Sequence, residues 1–145
     1  MKISTKGRYA IRMLLDLAEH KNDGFVSLKE IAERQDISKQ YLEHIVSLLH
    51  TSDILRANRG KKGGYMLSRE PSECNIGEIL RITEGSLAPV ACLGDKTNHC
   101  NRADFCKTLS MWSGFYKMII EYFDGITLQD MLDQYDEQSA GSYVI

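Results

Sequence analysis

Residues 27–49 read SLKEIAERQDISKQYLEHIVSLL, a run that holds two helix starts and one tight turn. Ser27 and Glu30 have the spacing of a capping box, in which a hydroxyl and a carboxylate satisfy orphan amides at a helix start. Leu28, Ile31 and Ala32 give that short helix a buried edge, and it is predicted to stop near Gln35 or Asp36. Ser38 then caps a second helix, in which Leu42, Ile45, Val46 and Leu49 recur at i, i+3, i+4 and i+7. This assigns the apolar face and leaves Lys39, Gln40, Glu43, His44 and Ser47 on the opposite one, with Tyr41 near the boundary. All of these outward side chains donate or accept hydrogen bonds.

Upstream, Ala10, Met13, Leu14, Leu17 and Ala18 predict a helix over about Lys6 to His20, ended by Asn22, Asp23 and Gly24, with Phe25 and Val26 extended beyond it. Downstream, Ile54 to Arg59 and Tyr65 to Leu67 flank a basic, Gly-rich tip and predict a β-hairpin. Asn75 and Glu78 open a helix through Ile76, Ile79, Leu80 and Ile82 that Gly85 closes. Ser86 to Lys107 has no periodicity. A long helix over about Thr108 to Phe123 carries a heptad-like seam of Leu109, Trp112, Tyr116, Ile119 and Phe123, widened by Phe115 and Ile120. Thr127 caps a short last helix through Leu128, Met131 and Leu132, and the tail from Tyr135 is polar until its last three residues.

At 145 residues, 43% hydrophobic and 26% charged, the chain fits one globular domain plus an appendage. It has no apolar run long enough to span a membrane and no signal-peptide pattern, so the expectation is a cytoplasmic protein without a membrane partner. The net charge of -2 hides an asymmetry, since residues 1–69 carry +5 and residues 70–145 carry -7. Only the first part suits a polyanion.

Two short helices followed by a basic hairpin are the parts of a winged helix-turn-helix, whose second helix fits a major groove. Ser38, Lys39, Gln40, Tyr41, Glu43 and His44 are the candidate DNA-reading residues of that helix: Lys39 suits guanine or phosphate, Gln40 adenine, and Glu43 the cytosine amino group. Arg59, Lys61 and Lys62 on the wing suit phosphates or a minor groove. The expected fold is therefore mainly α with a small β-hairpin wing. It divides into a winged helix-turn-helix domain (1–69), a connecting helix (70–84), a cysteine loop (85–107), and a long dimerisation helix with a C-terminal tail (108–145).

Cys92, Cys100 and Cys106 stand as C-x7-C-x5-C in the irregular stretch. Both gaps exceed those usual for structural zinc, while thiolates suit iron–sulfur clusters; reduced cysteines in an ordinary loop are the plainer alternative. Cys74 stands apart and reads as structural, and His99 is either a ligand or solvated. No helical His-x-x-x-His pair, nucleophile elbow or phosphate loop is present, so no enzyme is expected.

MKISTKGRYA at Met1–Ala10, Tyr41-Leu42-Glu43, Arg59-Gly60, Gly63-Gly64-Tyr65 and the three-cysteine loop ahead of Trp112 together resemble the winged-helix regulator superfamily that includes IscR, NsrR and CymR. The resemblance covers nearly the whole chain. It implies a homodimer whose long helix crosses its twin, a roughly palindromic double-stranded DNA operator, and an iron–sulfur cluster, 2Fe-2S in preference to 4Fe-4S, on Cys92, Cys100 and Cys106. The chain departs from the pattern twice: Leu109 stands where IscR-type proteins have a ligand His, and Arg8 where NsrR-type proteins have an Asp from the partner subunit. The fourth ligand is thus unassigned. The acidic, aromatic tail ending in Ile145 resembles that of CymR-type repressors, which implies an alternative in which docked cysteine synthase, and no cluster, controls DNA binding.

Overall fold

Ser4 caps the first helix, α1 (Thr5–Glu19), by accepting a hydrogen bond from the Gly7 amide at 3.2 Å. Ala10, Met13, Leu14, Leu17 and Ala18, the apolar positions of its periodicity, are all buried. The computed structural model describes residues 1–141. Helix α2 (Leu28–Gln35) forms both arms of the expected capping box, Ser27 N donating to Glu30 Oε2 at 2.9 Å and Glu30 N to Ser27 Oγ at 3.2 Å. It stops at Asp36, which takes a left-handed conformation with φ 53°, one that a short polar side chain tolerates.

Helix α3 (Lys39–Leu49) follows at once, with Ser38 accepting from the Tyr41 amide at 3.1 Å. Leu42, Ile45 and Leu49 are fully buried, each contributing roughly 1.5–3 kcal/mol of transfer free energy. Asp16 on α1, itself buried, fixes the angle between α1 and α2: Arg34 donates to its two oxygens at 3.0 and 2.7 Å and Gln35 adds a third bond at 3.0 Å. Arg12, one turn earlier, donates to the Gln35 carbonyl.

Strands β1 (Leu55–Asn58) and β2 (Gly64–Leu67) pair antiparallel, with Leu55 opposite Leu67 and Asn58 opposite Gly64. Val26 adds a bridge, exchanging two backbone hydrogen bonds with Tyr65 at 2.9 and 2.8 Å. A Cβ at position 64 would stand 2.3 Å from the Val26 carbonyl oxygen, so only glycine lets the wing close on the core there.

Helix α4 (Ile76–Glu84) starts at Asn75 as expected and ends at Gly85. Arg69 ties the wing exit to α4 through two bonds to Glu78, and Arg81 reaches Asp124 at 2.8 Å. Helix α5 (Leu109–Asp124) packs on α4, and backbone bonds from Ile76 to Ile126 and from Leu128 to Cys74 lock the α5–α6 link to the start of α4. Among the described residues no helix is long and apolar enough to cross a membrane.

Two expectations need correction. The last helix, α6 (Leu128–Gly141), is not short: beyond Met131 and Leu132 it continues through residues whose polarity hides any apolar period although they are compatible with helix, and a Gln129–Asp133 bond at 2.8 Å supports its first turns. The α5 seam also largely faces inward. Ile119 is buried in this chain's own core, and Tyr116, Ile120 and Phe123 pack against it. The apolar stripe that α5 leaves open shares only Phe115 with that seam and is made of Met111, Phe115, Met118 and Tyr122, with exposures of 57, 43, 67 and 65%. The residues after 141, including Tyr143 and Ile145 of the tail, lie outside the described residues.

Candidate nucleic-acid interface and cysteine loop

Because α3 buries its apolar face, the opposite face is presented to solvent. Ser38, Lys39, Gln40, Glu43, His44 and Ser47 are all exposed, and Tyr41 is half-buried at the edge of the core. The wing stands beside this face, and the two enclose a cleft of about 670 Å³ lined by Glu43, Ser47, His50, Asn58 and Arg59 among others. Arg59, Lys61 and Lys62 are exposed at the wing tip. A hydrogen-bonding helix face and a cationic loop thus lie on one side of the molecule, the arrangement needed to meet base edges and phosphates together.

Sequence reasoning missed His50 and Asn58, which sit at the ends of their elements where no period marks them. It also missed the bracing of α3 from behind. Tyr9 on α1 meets Tyr41 edge to face with centroids 5.5 Å apart, Tyr41 meets His44 at 6.4 Å, and Arg12 lies over the Tyr9 ring at 5.1 Å. Helix α3 is therefore held from α1 by one aromatic contact, Tyr9 with Tyr41, worth of the order of 1 kcal/mol, and the other two contacts fix the rings of that pair.

The loop between α4 and α5 contains two single 3₁₀ turns, at Ala91–Leu93 and Ala103–Phe105. Cys92 and Cys100 line one shallow depression of about 330 Å³, together with Asp95, Thr97 and His99. Cys106 is outside it, at the foot of α5, where its Sγ lies in a hydrogen bond 3.3 Å from Thr108 Oγ1. That hydroxyl, with the Thr108 and Leu109 amides, holds the Cys106 thiol below its usual range. All three are free thiols and at least partly exposed. Their chemistry fits a metal or iron–sulfur centre, yet among the described residues no three Cys, His, Asp or Glu side chains are gathered to hold one. Cys74 is fully buried, its thiol bonds the Glu70 carbonyl, and burial pushes its pKa up, as befits a structural cysteine.

The model of the Rrf2 family, described as iron-dependent transcriptional regulators, matches residues 3–134. The transcriptional regulator CymR of Bacillus subtilis is 36% identical over the full length of both chains. IscR of Yersinia enterocolitica is 34% identical over 94% of this chain and 82% of its own. The solved structure of T. potens IscR superposes with a TM-score of 0.76 at 40% identity, covering 95% of this chain and 90% of that one. These relatives are named as regulators of transcription, not as enzymes. With its helix-turn-helix, wing and exposed polar α3 face, the chain belongs to the Rrf2 family of winged-helix, DNA-binding transcriptional regulators.

Proposed function

We propose that this chain is a homodimeric repressor that reads a palindromic operator with α3 and the wing and sets its DNA affinity through the loop of Cys92, Cys100 and Cys106. In this reading Lys39, Gln40 and Glu43 meet base edges, Ser38, Tyr41 and His44 fix the helix in the groove, and Arg59, Lys61 and Lys62 meet phosphates or a minor groove. The open stripe of Met111, Phe115, Met118 and Tyr122 is the surface on which a second copy would pack. Such a stripe on an isolated chain is what a two-fold helix interface requires.

The observation that carries the sensor is the placement of three free thiols on the segment that leads directly into α5. Cys92, Cys100 and Cys106 would hold an iron–sulfur cluster, with 2Fe-2S favoured, and Asp95 and His99 beside Cys92 and Cys100 are on hand for the fourth position that Leu109 cannot fill. When bound, such a cluster supplies a centre sensitive to oxidation, nitric oxide and cluster supply. Because Cys106 stands apart from the other two, binding all three requires the chain between Cys100 and Cys106 to rearrange at the foot of α5. The difference in loop free energy between the two states is the coupling available to the DNA-binding face.

The test is anaerobic purification with ultraviolet-visible and Mössbauer spectra and a count of iron and sulfide per chain. About two iron atoms with matching sulfide support the sensor. A chain that stays colourless after reconstitution overturns it.

The full-length similarity to CymR supports a second reading, in which a cysteine-metabolism repressor is controlled by cysteine synthase docked on the C-terminal tail. Deleting Tyr143 to Ile145 should then abolish capture of cysteine synthase; undiminished capture would dispose of docking.

A further inference from the structure

Ser4 and Glu84 are 80 positions apart in the chain and share two hydrogen bonds, the Ser4 amide donating to Glu84 Oε1 at 3.1 Å and its hydroxyl at 2.6 Å. Ser4 is the N-cap of α1 and Glu84 the last residue of α4, so the carboxylate sits where the amides of α1 are unpaired and its dipole is positive. The approach is unusually close. A Cβ on Gly7 would stand 2.3 Å from Glu84 Oε1, so the first turn of α1 has been left bare for this carboxylate. Two further features give the contact a direction. On one side, the cysteine loop begins at once with Gly85, and Leu87 is buried against the core. On the other, the N-terminal half of α1 carries Tyr9, whose ring braces Tyr41 in the first turn of α3.

We propose that Glu84 is a positioning residue for DNA reading: by clamping the Ser4 end of α1 it sets Tyr9 against Tyr41, and through this contact the loop that starts at Gly85 biases the pose of α3. The first half rests on the assignment of α3 as the reading helix. The second deepens the proposed sensor and rests on it. The test measures that coupling directly.

The full-length chain first selects an operator duplex from a random 30-base-pair pool. Affinities for that duplex and for a shuffled one are then measured for the wild type, Glu84→Ala, Glu84→Gln, Gly7→Ala and the Gly7→Ala/Glu84→Ala pair. Gly7→Ala displaces the flexible end of Glu84 without removing its charge, so it breaks the same contact by an independent route and guards against a variant that fails to fold. The expected result is a loss of about tenfold in operator affinity for Glu84→Ala and Gly7→Ala, with binding to the shuffled duplex changed less than about twofold. Glu84→Gln, which keeps an acceptor oxygen, recovers most of the loss, and the double variant is no worse than either single one, as expected for two changes that act on one contact. Equal losses on both duplexes, or unchanged operator binding by Glu84→Ala and Gly7→Ala, overturn the proposal. Enrichment of no duplex by the wild type overturns the DNA reading and the proposal together, before any variant is made. The same affinities for the iron-loaded and chelator-stripped wild type read the second half. Their ratio should fall toward one in Glu84→Ala. A ratio already at one in the wild type removes the sensor reading and leaves the positioning role to stand or fall on the two duplexes.

Discussion

Arg34 on α2 grips Asp16 on α1 through two parallel hydrogen bonds, from Nε at 3.0 Å and from Nη2 at 2.7 Å, and the carboxylate they hold is 2% exposed. Two like-shaped planar groups locked in this way define the angle between the helix that braces α3 and the helix that precedes it. Burial raises the pKa of Asp16, but the bonds from Arg34 and Gln35 and the charge of Arg34 outweigh it, so the group titrates below the ordinary carboxylate range.

Asp16→Ala should therefore destabilise the chain by about 1–3 kcal/mol, because it removes the buried carboxylate that Arg34 and Gln35 share, while the Arg34 side chain, 35% exposed, can turn back to water. The pH dependence has a definite sign. A depressed native pKa gives stability that is complete above the pKa of the unfolded carboxylate and is lost as pH falls through the native value. Urea melts between pH 6 and pH 3 should show a steeper acid loss for the wild type than for Asp16→Asn. Parallel curves would mean that Asp16 is not held as an ion.

On the face proposed to meet DNA, contacts to bases and to phosphates should respond separately. Lys61→Ala should weaken binding to all duplexes and reduce the slope of log K against log salt by about one. Gln40→Ala should leave that slope alone and relax specificity at one base pair, by about 1–3 kcal/mol. Binding isotherms at four salt concentrations on matched and singly mismatched duplexes distinguish the two. An unchanged slope for Lys61→Ala would remove the wing tip from the phosphate contacts.

What the sequence disclosed follows from the reach of its signals. Leu42, Ile45, Val46 and Leu49 repeat with the helical period, so the exposed face of α3 is legible in the sequence from Ser38 to Ser47, as is the Ser27–Glu30 box. Contacts between distant segments leave no such trace: Tyr9 with Tyr41 and Ser4 with Glu84 are each made of residue types common on any surface. Periodicity also says that a face is apolar and not what covers it. For that reason the spacing of Tyr116, Ile119 and Phe123 suits a dimer seam and a core stripe alike, and they pack on this chain's own core. In the loop, thiols at positions 92, 100 and 106 announce a ligand chemistry, while their placement depends on local turns that no spacing encodes.

The distinction between the two faces of α5 makes its own prediction. Met118 is 67% exposed and Ile119 is 7% exposed, although they are neighbours. Met118→Asp should turn a dimer into a monomer in analytical ultracentrifugation while changing the stability of the fold itself by less than about 1 kcal/mol, since the side chain is outside the core. Ile119→Asp should instead unfold the chain, because it buries an unpaired charge. A Met118→Asp variant that remains dimeric would move the interface off this stripe.

In the metal-free chain the loop thiols differ in exposure and in environment. Exposure alone would make Cys100, which is open to solvent, more reactive than the half-exposed Cys106. Thiol reactivity, however, follows the thiolate fraction, and the hydroxyl of Thr108 with the amides at the start of α5 lowers the pKa of Cys106. Near neutral pH iodoacetamide should therefore modify Cys106 several-fold faster than Cys100, as followed by mass spectrometry of the peptides, and Cys74 should stay unmodified until the chain unfolds. Thr108→Val removes the hydroxyl that makes the largest contribution and should bring the two rates together. If Cys100 reacts first in the wild type, the hydrogen bond at the foot of α5 does not hold a thiolate, and the loop enters α5 with Cys106 unrestrained.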